Sequence, residues 1–277
     1  MKFDKYQAAG NDFIIVNGLD KQNEDYGNLA RKICDRHFGI GADGLMVCKN
    51  SNVSDIKMLY YNRDGSQGEM CGNGIRSFSK YIYDHKIVEE KKISIETLAG
   101  IKYVFLKTDD SGFVENIKVD MGYPIFEPLK IPVDIEKNEV FEEEMNLEGR
   151  LYTYSALKVG VPHAVIFVDD IGDFNINYIG RKIEEHKLFP ENINVNFVKV
   201  IDRDNIEIYT WERGAGRTLG CGTGSSSSVV IGKRLDKLNS NVDVKTEGGN
   251  LKIELEEDEK IYMIGDAIHI AKGSFLL

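Results

Sequence analysis

Hydrophobic residues along this chain mostly alternate with polar ones or gather in short β-branched and aromatic runs. "FIIVN" (13–17), "IKMLYYN" (56–62), "KISIETL" (92–98), "IKYVFLK" (101–107), "NVNFVKVI" (194–201), "IEIYTW" (206–211) and "IYMIGDAIHIA" (261–271) read as strands by composition and turn flanks. Helical spacing is rarer. Residues 28–38 place Leu29, Ile33 and Cys34 on one face and stop at Gly39, which the pattern marks as a C-terminal cap. Residues 72–84 place Ile75, Phe78 and Ile82 together, and 176–187 and 224–235 are the other helical segments. Clusters of strands around a few helices predict an α+β fold rather than a regular βαβ alternation.

The pattern breaks near the middle. Residues 121–149 hold three of the chain's five prolines, Pro124, Pro128 and Pro132, and the acidic run Glu142 to Glu144. That composition predicts a linker or irregular crossover, with the acidic run on a solvated face. On either side the same grammar recurs: a strand, a glycine-containing turn, C-G-x-G, and a helix. Asn62 precedes Cys71 by nine residues in "NRDGSQGEMC", and Glu212 precedes Cys221 by nine in "ERGAGRTLGC". The offset of 150 residues between the two cysteines reads as the duplication of one lobe.

Composition narrows the function without naming it. The 277 residues are 42% hydrophobic and 29% charged, as in ordinary globular proteins. A net charge of −10 with no basic block argues against a nucleic-acid partner. No apolar stretch reaches the length of about 18 residues expected of a membrane span, and "MKFDKYQAAGNDF" lacks a signal-peptide core. A cytoplasmic protein with reduced cysteines is therefore expected. The four cysteines include no C-x-x-C pair, and the chain has no H-E-x-x-H, so no metal site is expected. "GIGADG" (39–44) spells a dinucleotide fingerprint but follows a helix instead of a strand, which fails the context that motif requires.

Glycine weakens a helix or strand interior by about 0.5–1 kcal/mol relative to alanine, so "CGNGIR" (71–76) and "GCGTGSSSS" (220–228) need a reason. A cysteine at a helix start meets unpaired N–H groups and the positive end of the helix dipole. Its thiol acidifies, and the glycines let a carboxylate approach the same N–H groups. Two such cysteines on opposite sides of an α-carbon could remove a proton from one face and deliver one to the other. That is two-base racemisation, and a near-symmetric reaction would account for the duplication. Cys34 and Cys48 carry no such flanks and read as structural. "SSSS" (225–228) reads as small-residue packing.

At these residues the chain resembles the diaminopimelate epimerase family. "GNDF" (10–13), "RHFGIGADG" (36–44), "YYNRDGSQGEMCGNGIRSFSKY" (60–81), "ETLAG" (96–100), "VDMGYP" (119–124), "PHAVIFVDD" (162–170), "FPENINVNFV" (189–198) and "ERGAGRTLGCGTG" (212–224) match its motifs in order. The resemblance implies two pseudo-symmetric lobes, each a sheet wrapped around a central helix, with the active site in the cleft between them. Residues 1–121 with the returning strand 265–277 would form the first lobe, and 122–264 the second. It implies Cys71 and Cys221 as acid and base, with His163 and Glu212 tuning their protonation. Gly72, Asn73, Gly222 and Thr223 would bind the reacting carboxylate, and Asn11, Asn62, Val161, Asn194 and Arg213 would line the rest of the substrate. It implies no cofactor and no metal. The expected partner is a small amino acid, with neither nucleic acid nor membrane, and a homodimer is among the assemblies it allows.

The chain departs from the family pattern at Val161, where asparagine usually helps hold the distal head of diaminopimelate, and at "QAAGNDF" (7–13), usually richer in glycine. Diaminopimelate epimerisation, in lysine and peptidoglycan synthesis, is the family default. The rival is a racemase for another amino acid such as histidine. A non-catalytic anion-binding protein on the same fold is the remote third reading.

Overall fold

The computed structural model describes residues 1–20, 25–173 and 175–276, which include every candidate site residue. Its contacts divide the chain into two compact units, Met1–Asp120 with Ile264–Leu277, and Met121–Met263.

In the first unit β1 (Lys2–Ala8) turns through Ala9 and Gly10, both at positive φ, into β2 (Asn11–Asn17), with Ala8 opposite Asn11. Helix α1 (Tyr26–Ile33) leads to β3 (Gly44–Lys49), parallel to β2. Strand β4 (Ile56–Asn62) runs antiparallel to β3 and carries the short β5 (Gln67–Gly68) on its end. Helix α2 (Gly72–Asp84) then crosses to β6 (Lys92–Thr97), parallel to β4. Strands β7 (Gly100–Thr108) and β8 (Val114–Gly122) follow antiparallel.

The second unit opens with β9 (Val140–Leu147) and repeats the plan. Strands β10 (Arg150–Val159) and β11 (Val161–Phe167) form the hairpin, and α3 (Ile176–Glu184) leads to β12 (Asn194–Asp202), parallel to β11. Strand β13 (Asn205–Glu212) carries β14 (Gly216–Thr218), and α4 (Gly222–Arg234) crosses to β15 (Asn241–Thr246), parallel to β13. Strands β16 (Gly249–Leu255) and β17 (Ile261–Gly265) complete the series, and β18 (Ile268–Ser274) pairs with β1. The register repeats too: Phe13 lies opposite Gly44, and His163 opposite Asn194, each 150 residues on.

The sheets carry helices on both faces. Phe13, Ile14, Ile15 and Val16 are all buried, a continuous apolar run rather than an alternation. Ile14, Val16, Leu45 and Val47 pack with Leu29, Ala30 and Ile33 of α1 in one core. Ala164, Ile166, Val195 and Phe197 pack with Ile176 and Ile183 of α3 in another. Helix α2 packs on β1 and β2, and α4 on β10, β11 and β12. Ser225 to Ser228 are fully buried in α4, where Ser226 and Ser228 bond back to the carbonyls of Gly222 and Gly224. Small-residue packing is therefore what this stretch does.

Several sequence expectations change, and α3 stops at Glu184 short of the expected 187. Helix α1 ends at Ile33 instead of running to 38, because Asp35 accepts the N–H groups of His37 and Phe38 and turns the chain off the helix axis. Gly39 is needed for another reason: a side chain there would strike the carbonyls of Lys32, Ile33 and Asp35. The expected strand 261–271 is two strands, broken at Asp266, whose carbonyl accepts from Arg76. Residues 121–149 are not all crossover, since β9 pairs with β10 and turns Glu142 and Glu144 to solvent.

Candidate active site

Both cysteines of the repeated motif stand at the N-caps of 13-residue helices, Cys71 before α2 and Cys221 before α4. Each sulfur accepts the third following N–H, from Gly74 and Gly224, at 3.4 Å in both cases. A sulfur in an N-cap position takes the place of a serine or aspartate oxygen and sits at the positive end of the helix. The other two cysteines differ. Burial pushes the Cys34 and Cys48 thiols up to about 12, so both stay protonated and inert.

Around Cys71 the structure gathers Asn11, whose Oδ1 lies 3.5 Å from the sulfur. Asp43 orients that amide by accepting from its Nδ2 at 2.5 Å. Asn73, in the first turn of α2, is held at its Oδ1 by Arg76, a fully buried arginine. Burial pulls the Arg76 guanidinium down to about 10, which leaves it charged at neutral pH. Asn62 bonds within its own turn, to Ser66.

Around Cys221 lie Thr223, with Oγ1 at 3.3 Å from the sulfur, and His163, with Nε2 at 2.9 Å from that same oxygen. His163 is fully buried, and loss of hydration, helped by the nearby Arg213, pulls its imidazole down to about 3. It is neutral at physiological pH. Loss of hydration pushes the Glu212 carboxyl up, partly offset by hydrogen bonds from Thr218 and then Cys221. Asn194 is engaged on both sides, giving its Nδ2 to the Pro162 carbonyl and accepting the Arg213 N–H. The Arg213 side chain is solvent-facing and donates to the Glu191 carbonyl. Val161 opens β11 and is 37% exposed.

The motif reading passed over several residues. Arg76 sits inside "CGNGIR", yet burial is not visible in a lone arginine. Glu184 binds Trp211 Nε1 at 2.6 Å and Gly214 N–H at 2.9 Å, clamping the chain on either side of Glu212 and Arg213. Asn196 and Thr210 are buried polar residues beside His163. Their signal was polar side chains inside the apolar runs "NVNFV" and "IEIYTW". "GIGADG" runs from α1 into β3, the reverse of the strand-to-helix order a dinucleotide site needs. Among the described residues no helix is long and apolar enough to cross a membrane.

The sequence and the fold have counterparts among known proteins. The diaminopimelate epimerase family model matches residues 3–127 and 155–270. The chain is 45% identical to a diaminopimelate epimerase of Caldanaerobacter subterraneus, covering 99% of this chain and 98% of that one. It is 44% identical to one of Alkaliphilus metalliredigens, covering 100% and 98%. Among solved structures, a PhzF-family phenazine biosynthesis protein of Bacillus anthracis superposes with a TM-score of 0.73 at 18% identity, covering 100% of this chain and 99% of that one. A probable proline racemase of Agrobacterium radiobacter also reaches 0.73, at 14% identity, with 100% and 93% covered. These two share the fold, a mixed sheet with few helices. The chain belongs to the diaminopimelate epimerase family and is an isomerase of the epimerase class.

Proposed function

We propose that this protein inverts the α-carbon of LL-diaminopimelate by a two-base thiol mechanism without a cofactor, in the cytoplasm, as a step toward lysine and peptidoglycan. The observation that carries the reading is the matched pair of N-cap cysteines, each in its own unit and each at the same distance from the same helix N–H. The two units are read as the two pseudo-symmetric lobes of the family. In one direction the thiolate of one cysteine takes the α-proton, breaking C–H and forming S–H. The resulting carbanion is delocalised into the substrate carboxylate, whose growing charge lies on the first N–H groups of α2 and α4, at Gly72, Asn73, Gly222 and Thr223. The second cysteine gives its S–H proton to the opposite face and becomes the thiolate. The reverse direction exchanges the two roles. Glu212 accepts the Cys221 thiol proton in a hydrogen bond, and its raised pKa brings it nearer to the thiol range, as efficient proton exchange requires. His163 acts as a neutral hydrogen-bonding group.

A second substrate reading is favoured by Val161, because a methyl pair at the head of β11 offers no partner to a distal ammonium or carboxylate. A racemase for an amino acid such as histidine would use that side chain as an apolar wall. Both are tested by incubating the protein in D₂O with LL-diaminopimelate and with L-histidine and following loss of the α-proton by NMR. Washout from diaminopimelate alone is expected. Washout from histidine alone would transfer the reaction to that substrate, and washout from neither would sink the enzyme mechanism. Val161→Asn is expected to lower KM for diaminopimelate or leave it unchanged.

A further inference from the structure

Behind Cys221 the second unit buries a row of polar groups that the repeat does not need. At the positions 150 residues earlier, His163 and Asn196 correspond to Phe13 and Met46, both fully buried. Met46 is the residue a side chain at Gly74 would strike, with Phe13 in ordinary contact, just as Asn196 is the one a side chain at Gly224 would strike. The same backbone thus accepts an apolar filling. Burying an imidazole and an amide instead is costly unless each hydrogen bond is made, and here they are made in series.

The order of donors can be read from fixed groups. Asn196 Nδ2 lies 3.1 Å from the Ala164 carbonyl oxygen, which only accepts, so the amide nitrogen is on that side. Its Oδ1 then faces Thr210 Oγ1 at 3.1 Å and accepts from it. The same Nδ2 lies 3.1 Å from His163 Nδ1, so that ring nitrogen presents its lone pair. A neutral imidazole with a bare Nδ1 carries its hydrogen on Nε2, which donates to Thr223 Oγ1 at 2.9 Å. That leaves the Thr223 hydrogen free for the Cys221 sulfur at 3.3 Å, and toward a thiolate, which has no hydrogen to give, the hydroxyl is the donor. The sulfur then receives this hydroxyl together with the Gly224 N–H, and both interactions strengthen when the sulfur is charged.

We propose that Asn196, braced by Thr210, is a positioning residue that locks His163 in its Nε2–H tautomer, so that the Thr223 hydroxyl is committed as a donor to the Cys221 thiolate. The inference rests on the reading of Cys221 as an acid–base residue. It makes the repeat chemically unequal, with the Cys221 thiolate held by a directed relay where the first unit has phenylalanine and methionine.

The test has two readouts. In protein labelled with ¹⁵N-histidine, the His163 signals, assigned by their loss in His163→Gln, are expected to show a protonated Nε2 and a bare Nδ1. A protonated Nδ1 would overturn the proposal. Second, iodoacetamide labelling of Cys221 is followed at neutral pH in a Cys71→Ser background. Asn196→Leu is expected to slow it about tenfold or more, the effect of losing one hydrogen bond to a charged group. An unchanged rate would overturn the proposal as well. If Asn196→Leu does not fold, Thr223→Val cuts the last link alone and is read against the same expectation. Protein that shows both signatures yet exchanges no α-proton of diaminopimelate would leave this inference standing and remove the substrate reading.

Discussion

Four cysteines occupy two electrostatic settings. Cys34 and Cys48 are held as thiols by burial, whereas Cys71 and Cys221 cap helices with their sulfurs. Replacing either capping thiol by serine leaves the cap but removes the thiol that the proposed mechanism uses as acid and base. Cys71→Ser and Cys221→Ser are each expected to lower kcat for epimerisation by roughly 10²–10⁴-fold, the usual value of one positioned acid or base. Exchange from one face of the substrate is expected to outlast full turnover. Undiminished epimerisation in either variant, measured by chiral chromatography, would remove the two-base mechanism. His163 contributes a pH signature to stability. Its folded pKa, about 3, lies below the ordinary 6.5. Between those values the unfolded chain binds a proton that the folded chain refuses. The stability from keeping it neutral is therefore complete above about pH 6.5 and is lost as pH falls toward 3, by up to about 1.4 kcal/mol per pH unit. His163→Gln is expected to flatten the fall between pH 7 and 5 in urea unfolding. An identical slope in the variant would show that His163 is not the group responsible.

At the scale of elements, the two C-G-x-G turns show how one backbone device serves different neighbours. A side chain at Gly74 would meet Met46 Cε, the free end of a flexible residue, whereas one at Gly224 would meet the Asn196 amide, which is held by Thr210, Ala164 and His163. The first obstacle can swing aside and the second cannot without breaking buried hydrogen bonds. Gly224→Ala is expected to lose at least about tenfold more kcat than Gly74→Ala, since about 1.4 kcal/mol separates a tolerated shift from a broken bond. Equal losses would show that helix-start spacing alone matters at both positions. The same scale explains what the pattern of the chain revealed. Helix α2 was legible to its ends because Ile75, Phe78 and Ile82 repeat on one face after a strong start signal. Helix α1 was misjudged because Asp35 competes for the backbone N–H groups, a local side-chain bond that hydrophobic spacing does not register. Strands β1, β3, β5, β8, β9, β10, β11, β14, β15 and β16 lie outside the segments the pattern marked; in β9 and β16 glutamates and lysines break the apolar positions into runs that look like loops.

Across the whole molecule, two units repeat one order of strands and helices, and each contributes one capping cysteine. Solved relatives at 18% and 14% identity keep the same fold, so the plan withstands wide sequence change. In the proposed mechanism thiols, helix N-termini and the Glu212 carboxyl supply base, acid and an anion site. Turnover is therefore expected to survive dialysis against EDTA, and the purified protein to absorb only where its aromatic side chains do. Loss of activity on dialysis, restored by a divalent metal, would contradict this account.

By itself the sequence determined the α+β class, the repeat and its 150-residue offset, the family, and the pairing of each cysteine with a helix start. These are properties of short stretches: turn glycines, strand runs and caps act within a few residues of one another. The tertiary structure decided what surrounds the cysteines. Asn11 reaches Cys71 across 60 positions, and Asn196 reaches His163 across 33. Such neighbours are set by strand register, and register is a cooperative outcome of packing both faces of a sheet. Only there does a buried asparagine in "NVNFV" cease to be an interruption of an apolar run and become the group that orients an imidazole.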